Sequence, residues 1–92
     1  MTVQAMLAFT LTPFARTEQR NRFEEVISRA RWTQSSVDRK WTQVFPARVT
    51  AAELPRLIHI DLLEAAREAG VNDVSYQFQI GGESPVTETL RL

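Results

Sequence analysis

The chain opens on an alternation. From Val3 to Thr12 the odd positions Val3, Ala5, Leu7, Phe9 and Leu11 are apolar. The even positions Gln4, Met6, Ala8, Thr10 and Thr12 are only mildly polar. A period of two predicts a strand, and two such faces predict a central one. Thr12-Pro13 then has the form of an N-cap followed by proline at the first helical position, where a missing N–H costs nothing. In the helix that follows, Phe23, Val26, Ile27 and Ala30 recur at i, i+3, i+4 and i+7, so they form one inward stripe. Trp32 to Val37 and Trp41 to Phe45 read as two strands joined by the polar turn Asp38-Arg39-Lys40, with Pro46 limiting further pairing. Thr50-Ala51-Ala52-Glu53 fits a capping box. Pro55 lies deep for that cap, so a start near Leu54 is the alternative. The second helix turns Leu54, Leu57, Ile58, Leu62, Ala65, Ala66 and Ala69 inward and stops at Gly70, with Val71 free to close a Schellman ending. Val74 to Ile80 alternates cleanly, Gly81 to Pro85 is a loop, and Val86 to Leu92 is a last strand.

Strand, helix, strand, strand, helix, strand is the order of two interleaved right-handed βαβ units. The expected fold class is therefore α+β. It is a ferredoxin-like βαββαβ sandwich, with a four-stranded antiparallel sheet, two helices on one face and a short extra strand at the C-terminal end. Residues 1–92 read as a single domain, with 81–92 as the terminal loop and strand. The sheet face away from the helices carries Gln4, Met6, Ala8, Thr10, Gln77 and Gln79. It is too apolar to be simply solvated and too polar to be core, which suits contact with another molecule.

Composition removes several chemistries. The chain has no cysteine, so disulfides and thiolate zinc sites are excluded. His59 is the only histidine and falls at the edge of its helix, so no metal or cofactor is expected. Gly81-Gly82 opens no helix and precedes no Lys-Ser/Thr, so it is no phosphate loop. Ser28, Ser35, Ser36, Ser75 and Ser84 sit in no nucleophile elbow. Asp61 falls at the margin of the buried stripe, where pairing with an arginine is the plain expectation, and Asp61, Glu64 and Glu68 form a solvated acidic face. No segment reaches the roughly 20 apolar residues of a membrane span, and no targeting segment is visible, so a cytoplasmic protein is expected.

Charge is unevenly divided. Eleven basic and eleven acidic residues cancel overall, yet residues 1–49 hold eight basic against four acidic and residues 50–92 hold three against seven. Ten of the cations are arginine, which suits bidentate phosphate contacts and stacking. Arg29, Arg31, Trp32, Arg39, Lys40 and Trp41 lie in one short segment. On a hairpin such a set grips a phosphate backbone while indoles stack on unpaired bases. The plainer reading makes Trp32 and Trp41 cross-strand neighbours packing on a helix. A third has the basic half of one molecule meeting the acidic half of another.

The strand end Val44-Phe45-Pro46-Ala47-Arg48-Val49, followed by Thr50 to Leu57, resembles the small ferredoxin-fold CRISPR-associated nuclease family. It is also similar to the type V antitoxin endoribonuclease, built on the same plan. The resemblance implies a homodimer near nucleic acid, with the last strand packing on the partner's sheet. Those nucleases carry a metal-binding aspartate at the end of the first strand. Here that place reads Phe9-Thr10-Leu11-Thr12-Pro13, without an acid, which argues against metal-dependent cleavage. The expected function is thus a non-catalytic dimer binding RNA in an antitoxin-like or regulatory role. The alternatives are a protein-interaction module using its open sheet face or edge strand, and a nuclease-related enzyme with a displaced acid such as Asp61.

Overall fold

A computed structural model describes residues 2–11, 15–46, 48–50 and 52–92. The elements are β1 (Val3–Leu11), α1 (Thr17–Arg29), β2 (Thr33–Gln34), β3 (Trp41–Phe45), α2 (Leu54–Ala69), β4 (Asp73–Ile80) and β5 (Val86–Arg91). The five strands form one antiparallel sheet in the order β2-β3-β1-β4-β5. β1 is central, as its two-faced alternation predicts. It pairs with β3 from Val3↔Phe45 to Leu7↔Trp41, and with β4 from Ala5↔Ile80 to Leu11↔Val74.

Directly opposed residues share a face, so the register collects one apolar side. Ala5, Leu7 and Leu11 of β1 meet Trp41 and Phe45 of β3 and Val74, Tyr76, Phe78 and Ile80 of β4, all buried. Both helices lie on this side and pack on each other. α1 buries Phe23, Val26 and Ile27, and α2 buries Leu54, Ile58, Leu62, Ala65, Ala66 and Ala69. Full burial of a side chain such as Leu62 contributes roughly 1.5–3 kcal/mol, and the three alanines let α2 approach closely.

Element ends differ from expectation in instructive ways. α1 begins at Thr17, where the Arg16 N–H donates to Gln19 Oε1 at 2.8 Å. The expected Thr12-Pro13 cap lies outside the described residues. No side chain caps α2 at Thr50; the helix starts at Leu54 with Pro55 in its first turn, the alternative that the depth of Pro55 required. Its other end follows the sequence closely. Gly70 is left-handed at φ 72°, and the N–H of buried Val71 donates to Ala66 O at 2.9 Å. The Gly70 carbonyl also accepts from Gln19 Nε2 at 3.0 Å, tying the start of α1 to the end of α2. The expected strand from Trp32 to Val37 is only Thr33–Gln34, because the chain bends into a turn from Ser36. Among the described residues, no helix is long and apolar enough to cross a membrane.

Part of the divided charge is paired within one molecule. Glu68 of α2 accepts from Arg22 at 2.9 Å and Arg29 at 3.3 Å, both on α1. Arg22 and Arg29 of the basic half meet Glu68 of the acidic half along the helix–helix seam. Glu68 is a partner for two arginines and not merely part of a solvated face.

Candidate interaction site at the hairpin

Residues 35–40 fold back on themselves through short backbone bonds. Ser35 N–H donates to Lys40 O at 2.9 Å, and Arg39 N–H donates to Ser35 O at 3.1 Å. Asp38 Oδ1 accepts the Lys40 N–H at 3.1 Å, and Ser35 Oγ accepts the Val37 N–H at 3.2 Å. The Lys40 N–H holds the Asp38 carboxyl below its ordinary range. Arg39 takes φ 59°, a left-handed conformation that costs a non-glycine residue roughly 1–2 kcal/mol. The turn bonds on either side hold it there.

This turn carries the chain away from β1. Pairing between β1 and β3 ends at Leu7↔Trp41, while β1 runs on to Leu11 with β4 alone. Among the described residues, Ala8 to Leu11 therefore have a strand partner on one side only. The gap is a crevice of about 620 Å³ between β1, α1 and the hairpin. Phe9, Leu11 and Trp41 give it apolar wall. Arg20 enters from α1, and Arg39 and Lys40 from the hairpin; Glu24 and Asp38 also line it. None of these three cations is in an ion pair with a described residue.

The six residues expected to bind nucleic acid are not brought together. Trp32 is 2% exposed and Trp41 5%. The Trp32 Nε1–H donates to Asp61 Oδ2 at 3.0 Å, and its ring meets Phe45 edge-on. Trp41 stacks near Phe9, with centroids 6.1 Å apart, on the helix-facing side opposite Leu7. Neither indole offers a face to a base, so the stacking role is withdrawn. The physical reason is register: both rings fall on the side that the helices cover. Arg29 is engaged with Glu68. Arg31, left-handed at φ 74°, is exposed at the beginning of β2, at the opposite end of that strand from the turn. Of the six, Arg39, Lys40 and Trp41 line the crevice, the indole only as buried wall, and Arg20 joins the two cations there. Sequence reasoning missed Arg20, because only the placement of α1 beside the end of the β1–β3 pairing brings it to the hairpin.

Two further polar contacts lie elsewhere. Asp61 bonds to Trp32 and not to an arginine. Burial, with Glu64 adding, holds its carboxyl above the ordinary range against the lowering effect of the Trp32 bond. The Tyr76 hydroxyl lies 3.2 Å from His59 Nδ1, and burial, reinforced by Glu88, raises its pKa. Comparison with protein-family models, with curated proteins and with solved structures finds no match.

Proposed function

We propose that this chain is a non-catalytic interaction protein on the ferredoxin-like plan, holding a protein partner on the outer face of its sheet. The order β2-β3-β1-β4 supports that plan, with β5 added at one border. The observation that carries the reading is the character of the outer face. β1 turns Gln4, Met6, Ala8 and Thr10 outward, beside Thr42 and Val44 of β3, Ser75, Gln77 and Gln79 of β4, and Thr87, Thr89 and Arg91 of β5. Asp73 of β4, opposite Arg91 and 3.7 Å from it, also lies on this face, so among the described strand residues its only charges are one mutually paired couple at the β5 border, in a chain that is 24% charged. Val44 is 60% exposed.

Such a face suits a second copy of the chain. Glutamine and threonine both donate and accept, so they match their own kind, and no like charges oppose one another. With strands ~4.8 Å apart and ~3.3 Å per residue, the face covers roughly 500 Å² per molecule. Two copies would thus bury about 1,000 Å², near the lower limit for a specific interface. Sedimentation of the wild type and of Met6→Lys with Val44→Lys tests this. A reversible dimer weakened at least tenfold by the pair of lysines is expected. A monomer at every concentration, with no effect of the lysines on capture of any partner, overturns the reading.

One observation favours a second reading, RNA binding in an antitoxin-like or regulatory role. Arg20, Arg39 and Lys40 converge on one crevice without ion-pair partners among the described residues. The resemblance to the small CRISPR-associated nucleases points the same way. With both indoles buried, phosphate contact is all that remains, so binding would be indifferent to sequence. Three neutralised phosphates predict a slope of log K against log salt of about −2 on single strands. Binding that ignores salt, or survives Arg39→Glu with Lys40→Glu, removes this reading.

A further inference from the structure

We infer that the unpaired half of β1 is a docking edge for an extended, acidic peptide segment. It rests on the interaction reading only in requiring a protein partner, since it uses a different surface from the outer face. Two observations carry it.

The first is the backbone. β1 keeps its β4 partner to Leu11 but loses β3 after Leu7, so four residues of a central strand have one open side. Alternate residues of a strand direct their N–H and C=O groups to the same border, so two of the four aim into the crevice. Among the described residues, no backbone group outside the sheet bonds to Ala8, Phe9, Thr10 or Leu11. A strand laid there extends the line of β3 and satisfies those groups as strand addition does elsewhere. Four residues need about 13 Å of strand, which sets the length of the segment.

The second is what surrounds that edge. Phe9 and Leu11 face the helix side, and Ala8 and Thr10 face outward, so an added strand must alternate apolar and polar residues to match. Arg20 stands on the helix side of the crevice and Arg39 and Lys40 on the hairpin side. They outnumber Glu24 and Asp38, and the Asp38 carboxylate is already occupied by the Lys40 N–H. The side chains best met by this border are carboxylates. A lysine-bearing strand of the same shape would meet like charge.

The test uses the full chain and an acetylated, amidated hexapeptide of sequence Glu-Val-Glu-Val-Glu-Thr, with the glutamates replaced by lysine in a control. Binding is followed by amide NMR shifts and hydrogen exchange. The acidic peptide is expected to shift the Ala8–Leu11 amides and to slow exchange at least tenfold for those aimed into the crevice. The lysine peptide, and the acidic peptide on Arg39→Glu with Lys40→Glu, are expected to bind at least tenfold more weakly. Both substitutions are at exposed positions, and an unchanged melting curve establishes that the variant is folded. Four outcomes overturn the inference: no shift at millimolar peptide, equal binding of the lysine peptide, no effect of the charge reversals, or shifts confined to the outer face. A single-stranded RNA that shifts these amides when the peptide does not overturns it in favour of the RNA reading. Loss of the dimer in the Met6→Lys, Val44→Lys variant without loss of peptide binding separates this docking edge from the outer face.

Discussion

Replacing Trp32 by phenylalanine tests the assignment of both indoles to the core. Trp32 is 2% exposed and donates to Asp61 at 3.0 Å. A hydrogen bond to a charged group contributes about 1.5–3 kcal/mol. Asp61 is only half-buried, so water replaces part of this, and about 1 kcal/mol is the expected share. The smaller ring leaves a gap against Phe45, costing about another 1 kcal/mol. The sum is about 2 kcal/mol, or a fall in Tm of roughly 8–16 °C for a domain of this size. Thermal and urea unfolding measure it. Tryptophan fluorescence should be shielded from aqueous quenchers in the native wild type. A fall in Tm below about 3 °C, with ready quenching, would show an exposed ring and restore the stacking proposal.

Asp61→Asn separates the bond from the charge. Asparagine still accepts from the indole but has no charge to desolvate. Because the Asp61 carboxyl is held above its unfolded value of 3.8, the folded state binds its proton more tightly. That contribution is complete below the unfolded value and is lost as pH rises through the folded one. Between pH 4 and 7, wild type should therefore lose more stability than Asp61→Asn. A variant that loses the same or more over that range refutes the cause assigned to the shift.

Other substitutions probe the frame. Gly70→Ala meets only Gln19 Nε2 at 3.7 Å, an ordinary contact, so its cost is the left-handed φ alone, about 1–2 kcal/mol by chemical denaturation. Glu68→Gln removes the shared partner of Arg22 and Arg29; at one-third exposure the loss should be about 0.5–1 kcal/mol and should vanish in high salt. Leu62→Ala, at a fully buried position, should cost 2–5 kcal/mol, and a smaller loss would place α2 less firmly on the sheet.

The elements were largely legible because their signals are local. The alternation of Val74 to Ile80, the inward stripe of α2 and the stop at Gly70 each lie within a few residues. The short β2 was not, since its end is set by a turn whose bonds join Ser35 to Lys40 and Asp38 to a backbone N–H. The outer face was readable from alternation alone. The fate of Trp32 and Trp41 was not, because their neighbours Asp61, Phe45 and Phe9 are assigned by packing between separate elements. The same holds for charge. A division between the halves of the chain suggests two molecules, and only the helix seam shows Arg22 and Arg29 meeting Glu68 at home. The crevice depends on where β3 leaves β1, a matter of register that no single segment encodes.

The position of β1 bears on how the chain is made. Of the five strands of this sheet it emerges first during synthesis, yet one border must wait for Trp41–Phe45 and the other for Asp73–Ile80. At roughly 5–20 residues per second, β4 follows the end of β1 by about 3–12 s. Throughout that interval an apolar ribbon lacks at least one of its neighbours, and for about the first half of it lacks both. Nascent chains of this protein should thus be clients of whatever shelters such ribbons at the ribosome, and crowded or slowed translation should penalise its yield more than that of a fold whose central strand is made last.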